Sequence, residues 1–415
     1  MKVAVLGGSS AGTPELFRCL GSISELPPLE IWLVGRCSEH LLAVSRAARL
    51  LLGDAPVVLH SCSFAPHELR AALDGADVVL VQIRVGGHDG RHFDETFPVI
   101  YGLCGDEGLG PGGLSAGWRG WPTVRRLLET VSSVCPNAFV LMLSAPLGIL
   151  VGAAQREFPS LEVVGICELP WTTLLHIAES QEVDVREIDF DYIGLNHLGW
   201  FYRIQTGTRD LLLEYSSGPR SLLCWPPPKM VADCRAYPTK YQRLHYYSAE
   251  IIAEQKRQAR SRAQELEFIS NKCYQAFACG NEATIIQALE QRSMPWYEHA
   301  VVPLLVSLAG GGESGPYFLT GRTNAQFGFQ GMWEVPVSVV DRRFCLHPPR
   351  SGPPEGLVEM FRAFVTYETQ AISAVTSQDP AQVGQALAVH PWVATEEVAD
   401  LLAKTITSQS TTVGA

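Results

Sequence analysis

The opening stretch "KVAVLGGSSAGTPELFRCL" constrains the fold of this chain more than any other. A short β-branched run ends in two glycines, and helical spacing then begins with Thr13 placed as N-cap and Pro14 at the first helical position. The order is strand, turn, helix. The spacing Gly7-x-Ser9-x-x-Gly12, with Gly8 beside it, is a dinucleotide fingerprint carrying serine in its middle place. The helix N-terminus behind such a turn offers backbone N–H groups to a pyrophosphate. Taken alone, the same pattern also suits an ordinary turn between strand and helix that merely needs glycine.

The neighbouring sequence narrows the choice. "LEIWLVGR", "VVLHSCS" and "GADVVLVQIRVGG" read as three further strands with helical patterns between them. Alternating β and α units imply a parallel sheet. An NAD-binding sheet usually ends its second strand in an acidic residue that grips the ribose hydroxyls, whereas this chain has Gly35 and Arg36 there. Arg36 suits a 2′-phosphate, which inclines the cofactor toward NADP, or it is a surface arginine at a strand end.

At 415 residues, a single core is a tight fit, so two packed domains are expected, a dinucleotide-binding domain over 1–165 and a second over 166–415. The net charge of −11 argues against nucleic acid or an anionic membrane as main partner, since both require a positive face. Eleven dispersed cysteines, odd in number and without a CxxC pair, read as reduced thiols. The start goes directly into a strand without the apolar segment of a signal peptide. The longest apolar run is broken by Ser144 and Pro146. A cytoplasmic enzyme is therefore expected.

Two later stretches carry chemistry. "GICELP" places Cys167 and Glu168 where a buried strand gives way to a helix, and "GLNHLGW" places His197 in a similar position. A thiolate and an imidazole together suit a borderline transition metal rather than magnesium. Singly, each is more often the residue of an ordinary core, and it is the pairing of the two motifs that points to a metal.

In order along the chain, "GGSSAGTPEL", "VQIRVGGHDGRHFDE", "YGLCGDEGLGPGG", "GICELP", "GLNHLGW", "YPTKYQRLHYY" and "WEVPVSVVD" resemble glycoside hydrolase family 4, the NAD- and metal-dependent glycosidases of the 6-phospho-glucosidase and α-galactosidase type, as a divergent member. The resemblance implies a Rossmann-like doubly wound parallel sheet followed by a mixed α+β domain for catalysis and oligomerisation. It implies NAD or NADP, Mn²⁺ or another divalent metal, and hydrolysis of a glycoside, phosphorylated or not. The sugar's C3 is oxidised transiently, its C2 hydrogen removed, and the C1 oxygen expelled; such enzymes lie outside the usual paired-carboxylate scheme.

By the same resemblance Cys167 and His197 hold the metal, and Tyr241 is the C2 base, with Tyr246 and Tyr247 as weaker candidates. The metal or Arg243 would favour the ionised phenol. Arg84 and Arg91 would hold a phosphate on the sugar. Glu107 and Asn196 are placed at the substrate, and a homodimer or homotetramer is implied. The run "AVVPLLVSLAGG" suits either an oligomer contact or a buried core helix.

Three positions depart from the family pattern. Glu168 stands where asparagine follows the metal cysteine, Ala145 where asparagine precedes a proline, and Gly35 with Arg36 where an acidic residue closes the strand. Glu168 then serves as a third ligand, a base or a source of repulsion toward phosphate. A sugar dehydrogenase or epimerase on the same scaffold is the main alternative activity, and a non-catalytic ligand-binding homologue is the alternative of another class.

Overall fold

The structure is a computed structural model that describes residues 1–217, 225–311, 315–323 and 328–409. Six apolar runs form the strands β1 (Lys2–Leu6), β2 (Leu29–Val34), β3 (Val57–Cys62), β4 (Val78–Val81), β5 (Phe139–Met142) and β6 (Glu162–Ile166). They pair in parallel in the spatial order β3-β2-β1-β4-β5-β6. Val3, Val5, Val78 and Leu80 are wholly buried, and so are Ala4 and Val79, which point the other way. Burial on both faces is what a parallel sheet between helices requires.

The intervening helices are α1 (Thr13–Gly21), α2 (Ser38–Leu52), α3 (Pro66–Leu73), α4 (Gly87–Ile100), α5 (Gly110–Val134) and α6 (Leu147–Glu157). In this order the direction of winding reverses between β1 and β4, and the crevice beyond their carboxyl ends is where such a sheet receives ligands. Helix α1 starts one residue from the expected place. Gly12 is its N-cap, and the Thr13 hydroxyl is turned instead toward Gln82, whose Nε2 donates to it at 3.0 Å.

Beyond β6 the sheet continues through antiparallel strands. Tyr317–Thr323 pairs with β6, Gly331–Val340 follows, and a hairpin of β7 (Asp189–Leu195) and β8 (Leu198–Thr206) comes next. Thirteen strands are joined in this way among the described residues. Helix α7 (Leu169–Gln181) leaves the end of β6. The antiparallel extension brings the hairpin tip at Asn196 and His197 to the carboxyl end of the parallel half, which is what assembles the site.

The long helix Glu355–Ser377 packs on α6 so closely that a Cβ at Gly152 would stand 2.3 Å from Ile372 Cδ1. Tyr367, Ala371, Ile372 and Val375 share one core cluster with Leu150, Ala153 and Val140. The helix Val302–Leu308 lies in the other main core, with Leu304, Leu305 and Leu308 wholly buried. The apolar run that offered itself as an oligomer contact is thus core. No helix among the described residues is long and apolar enough to cross a membrane.

Candidate active site

The glycine turn is shaped by close approaches. Gly7 adopts φ +98°, and a Cβ there would meet Gln82 O at 2.9 Å; one at Gly8 would meet Leu33 Cβ at 2.8 Å. Both requirements fit glycine and leave a cradle suited to a dinucleotide. Gln82, at the end of β4, closes the turn from below by donating to Gly7 O (3.3 Å) and to Thr13, while Tyr297 OH donates to its Oε1 at 2.8 Å. Ser9 O accepts from Tyr274 OH at 2.8 Å. A Cβ on Gly35 would fall 2.6 Å from Ser9 Cβ and 2.8 Å from its Oγ. The missing acid and the serine in the fingerprint are therefore one packing solution. Arg36 follows as an exposed side chain.

Above the turn lies a cavity of about 490 Å³ whose wall includes Ser10, Arg84, Arg91, Glu107, Cys167, Glu168, Asn196, His197 and Tyr241. Cys167 is buried at the end of β6, and half-buried Glu168 is the N-cap of α7 with no side-chain capping bond. Its Oε2 lies 3.7 Å from Cys167 Sγ. His197 occupies the two-residue hairpin turn at φ +68°, an uncommon conformation for a side chain other than glycine. Thr239 holds this turn by donating to His197 O at 2.9 Å and accepting from Gly199 N at 3.1 Å. Asn196 is held by Glu334, which accepts from its Nδ2 at 3.1 Å and from Tyr192 OH at 2.6 Å.

Tyr241 lies in the short helical turn Lys240–Gln242 and stacks on His197, the ring centroids 4.2 Å apart and the planes within 3°. Tyr246 and Tyr247 pack edge-on against Trp200 and Trp225 and do not line this cavity. The cation expected beside the phenol is different from the one found. Arg243 lies over Trp225 at 6.0 Å, whereas Lys240 Nζ stands 5.4 Å from the Tyr241 ring centroid. Burial pushes the Tyr241 phenol well above its ordinary range, reinforced by Asp106, Cys167 and Glu168 and opposed by Arg91. A bound cation would have to reverse that balance for the phenol to act as a base.

His197 Nδ1 is buried without a hydrogen-bond partner, and burial, aided by Lys240, brings its imidazole down to about 4. The ring is neutral at pH 7, as a metal ligand must be. The Cys167 thiol is raised well above its usual value by burial and then by Glu168 and Glu334, so an ion has to displace its proton. No group of three His, Cys, Asp or Glu side chains able to hold an ion occurs among the described residues. One orphaned imidazole and one thiol fit an ion that keeps open positions for substrate and water.

The predicted phosphate ligands Arg84 and Arg91 are both engaged. Glu107 accepts from Arg84 Nε at 3.1 Å and Nη2 at 3.2 Å and pairs with Arg91 Nη1 at 2.6 Å; Arg91 Nε also donates to Glu95 at 2.6 Å. Burial alone would raise the Glu107 carboxyl, but the two guanidiniums outweigh it and hold it below its usual range. The cavity lining holds six basic side chains, Arg84, Arg91, Arg119, Lys240, Arg262 and Arg292, and three acidic ones, Asp94, Glu107 and Glu168. This excess of basic groups in a chain of net charge −11 favours an anionic occupant. Gln82, Arg292, Tyr297 and Glu334 were not among the residues the sequence singled out.

The sequence matches the family described as "Family 4 glycosyl hydrolase" over residues 2–183 and that family's C-terminal domain over residues 192–393. It is 27% identical over 327 residues to a probable 6-phospho-beta-glucosidase of Bacillus subtilis, covering 74% of this chain and 73% of that protein. It is 32% identical over 206 residues to the maltose-6′-phosphate glucosidase of Fusobacterium mortiferum, covering 49% and 46%. The fold is similar to that of the 6-phospho-beta-glucosidase of Thermotoga maritima solved with manganese, NAD⁺ and glucose 6-phosphate, with a TM-score of 0.86, 24% identity and 98% of each chain covered.

Proposed function

This chain belongs to family 4 of the glycosyl hydrolases, and on that premise we propose that it hydrolyses a 6-phosphorylated glucoside with NAD⁺ or NADP⁺ and a divalent ion, Mn²⁺ foremost. The relatives carry the names of a probable 6-phospho-beta-glucosidase and a maltose-6′-phosphate glucosidase, and a similar fold has been solved with manganese, NAD⁺ and glucose 6-phosphate. The observation that carries the reading is the meeting of Cys167, His197 and Tyr241 on the wall of one cavity that also reaches the nucleotide turn at Ser10.

In this reading residues 1–165 chiefly hold the dinucleotide, and residues 166–415 chiefly hold the metal and sugar. The bound nicotinamide would supply reversible hydride exchange at the sugar's C3, and the ion Lewis acidity at the oxygen there. Cys167 Sγ and His197 would hold the ion, with the left-handed hairpin turn fixing the imidazole's direction. Tyr241, half-buried and stacked on His197, is the group placed to take the C2 proton through its phenolate oxygen. Glu168 takes the place beside the metal thiol as an acceptor for sugar hydroxyls and an electrostatic support for the ion. Glu107 keeps Arg84 and Arg91 oriented along one side of the cavity.

A panel of nitrophenyl α- and β-glycosides, with and without 6-phosphate, tests this in the presence of NAD⁺ or NADP⁺, Mn²⁺ and a reductant. Release of nitrophenol from a phosphorylated member without net accumulation of reduced cofactor is expected. Stoichiometric accumulation of reduced cofactor would instead identify a dehydrogenase.

A further inference from the structure

The basic side chains around the cavity differ in what balances them. Arg84 and Arg91 share Glu107, and Arg119 is paired with Asp94. Arg292 forms no ion pair among the described residues. It is 7% exposed, its Nη1 donates to Ser270 Oγ at 2.7 Å, and its Nε is buried with no acceptor. A buried guanidinium left unpaired is unfavourable, and it becomes favourable when a ligand supplies the anion.

Its position indicates which anion. Arg292 lines the cavity beside Ser10, and its Nε stands 3.4 Å from the place a Cβ on Gly12 would take, at the N-cap of α1. The partial positive charge of that helix end and the unsatisfied N–H of Arg292 thus lie close together beside the cavity wall at Ser10, with the Met294 side chain packed against the same glycine. The same guanidinium, with those of Arg84 and Arg91, bears on His88, which burial and these charges bring down to about 4, so no second cation forms there at neutral pH. Guanidinium and phosphate match in charge and geometry.

We propose that Arg292 receives a phosphate group of a bound ligand at the N-terminus of α1, a role that the sequence suggested for Arg84 and Arg91. The inference rests on the reading of the site as one for phosphorylated ligands. Two sources present the same chemistry, the diphosphate bridge of the dinucleotide and the phosphate of the sugar.

Calorimetric titration of the full chain with NAD⁺, ADP and glucose 6-phosphate, with adenosine and glucose as probes lacking phosphate, separates them. Arg292→Met should weaken at least one phosphate-bearing probe tenfold or more and leave adenosine and glucose unchanged, with Arg292→Lys intermediate. Loss confined to NAD⁺ and ADP assigns the diphosphate, and loss confined to glucose 6-phosphate assigns the sugar phosphate. Parent-like affinity for every phosphate-bearing probe, or equal loss for the probes without phosphate, overturns the proposal. If Arg292→Met does not fold, Arg292→Lys decides by the same comparison, with a threefold loss as the threshold. A parent chain that binds none of the phosphate-bearing probes would overturn the functional reading as well, a result distinct from variants that bind as the parent does.

Discussion

Restoring the acidic residue at the end of β2 by Gly35→Asp should weaken this protein, although an acid there usually grips the ribose. The new Cβ would lie 2.6 Å from Ser9 Cβ and 2.8 Å from Ser9 Oγ, well inside contact distance, and both belong to the turn that carries the fingerprint. Overpacking of this kind costs about 1–3 kcal/mol. The cost falls on stability if the turn holds its shape, or on nucleotide affinity if the turn yields, where about 1.4 kcal/mol corresponds to tenfold. Ser9→Gly removes the obstructing atoms, so the double variant Ser9→Gly/Gly35→Asp should recover about 1 kcal/mol or more relative to the sum of the single changes. Thermal midpoints and fluorescence titrations with NAD⁺ and NADP⁺ on the parent, both single variants and the double variant give the cycle. A Gly35→Asp chain as stable and as tight-binding as the parent, or a double variant showing no coupling, would refute the claim that Ser9 excludes an acid from this position.

Cys167→Ser and His197→Ala should each reduce Mn²⁺ affinity strongly while NAD⁺ affinity stays within about threefold, because the glycine turn is a separate element; paired metal and nucleotide titrations check this. Glu334→Gln or Asn196→Ala should lower metal affinity by about 10–100-fold, since the Glu334–Asn196 bond holds the hairpin turn next to His197; metal titration reads it, and unchanged affinity would leave that bond with a purely structural role. Burial raises the Glu368 carboxyl to about 8, and its Oε2 has no partner. The folded value lies above the unfolded one, so the stability associated with the neutral form is complete below about pH 4.5 and is lost as pH rises toward 8. Glu368→Gln should therefore raise the thermal midpoint relative to the parent increasingly between pH 5 and 8, and a pH-independent difference would contradict the assignment.

What was legible in the sequence was local. Gly7 and Gly8 announce a turn because glycine there clears the close approaches of Gln82 and Leu33, Gly12 leaves room for the Met294 side chain, and the β-branched runs announce strands such as β1 and β4 buried on both faces. Cys167 and His197 stood out through the motifs around them. Their environment did not, because the thiol belongs to a parallel strand and the imidazole to an antiparallel hairpin joined to it through two intervening strands. The role given to Arg84 and Arg91 required knowing that Glu107, 23 and 16 positions away, folds back between them. Glu334 carried a signal that was passed over: a single carboxylate inside the apolar run "MWEVPVSVV" needs a buried partner, and Tyr192 and Asn196 provide it. Gln82 inside "VLVQIRV" is a similar case. Arg292, in "EQRSMPWYEH", has no local mark, since its meaning depends on the absence of an acid in three dimensions.

The proposed cleavage proceeds by removal of the C2 proton rather than by direct displacement at C1, and hydrogen exchange measures it. With NAD⁺, Mn²⁺ and a 6-phosphoglucoside in D₂O, the sugar product should carry deuterium at C2, and Tyr241→Phe should slow both that incorporation and aglycone release by about 10²–10⁴-fold while binding changes little. Product formed at the parent's full rate with hydrogen retained at C2 would contradict the account.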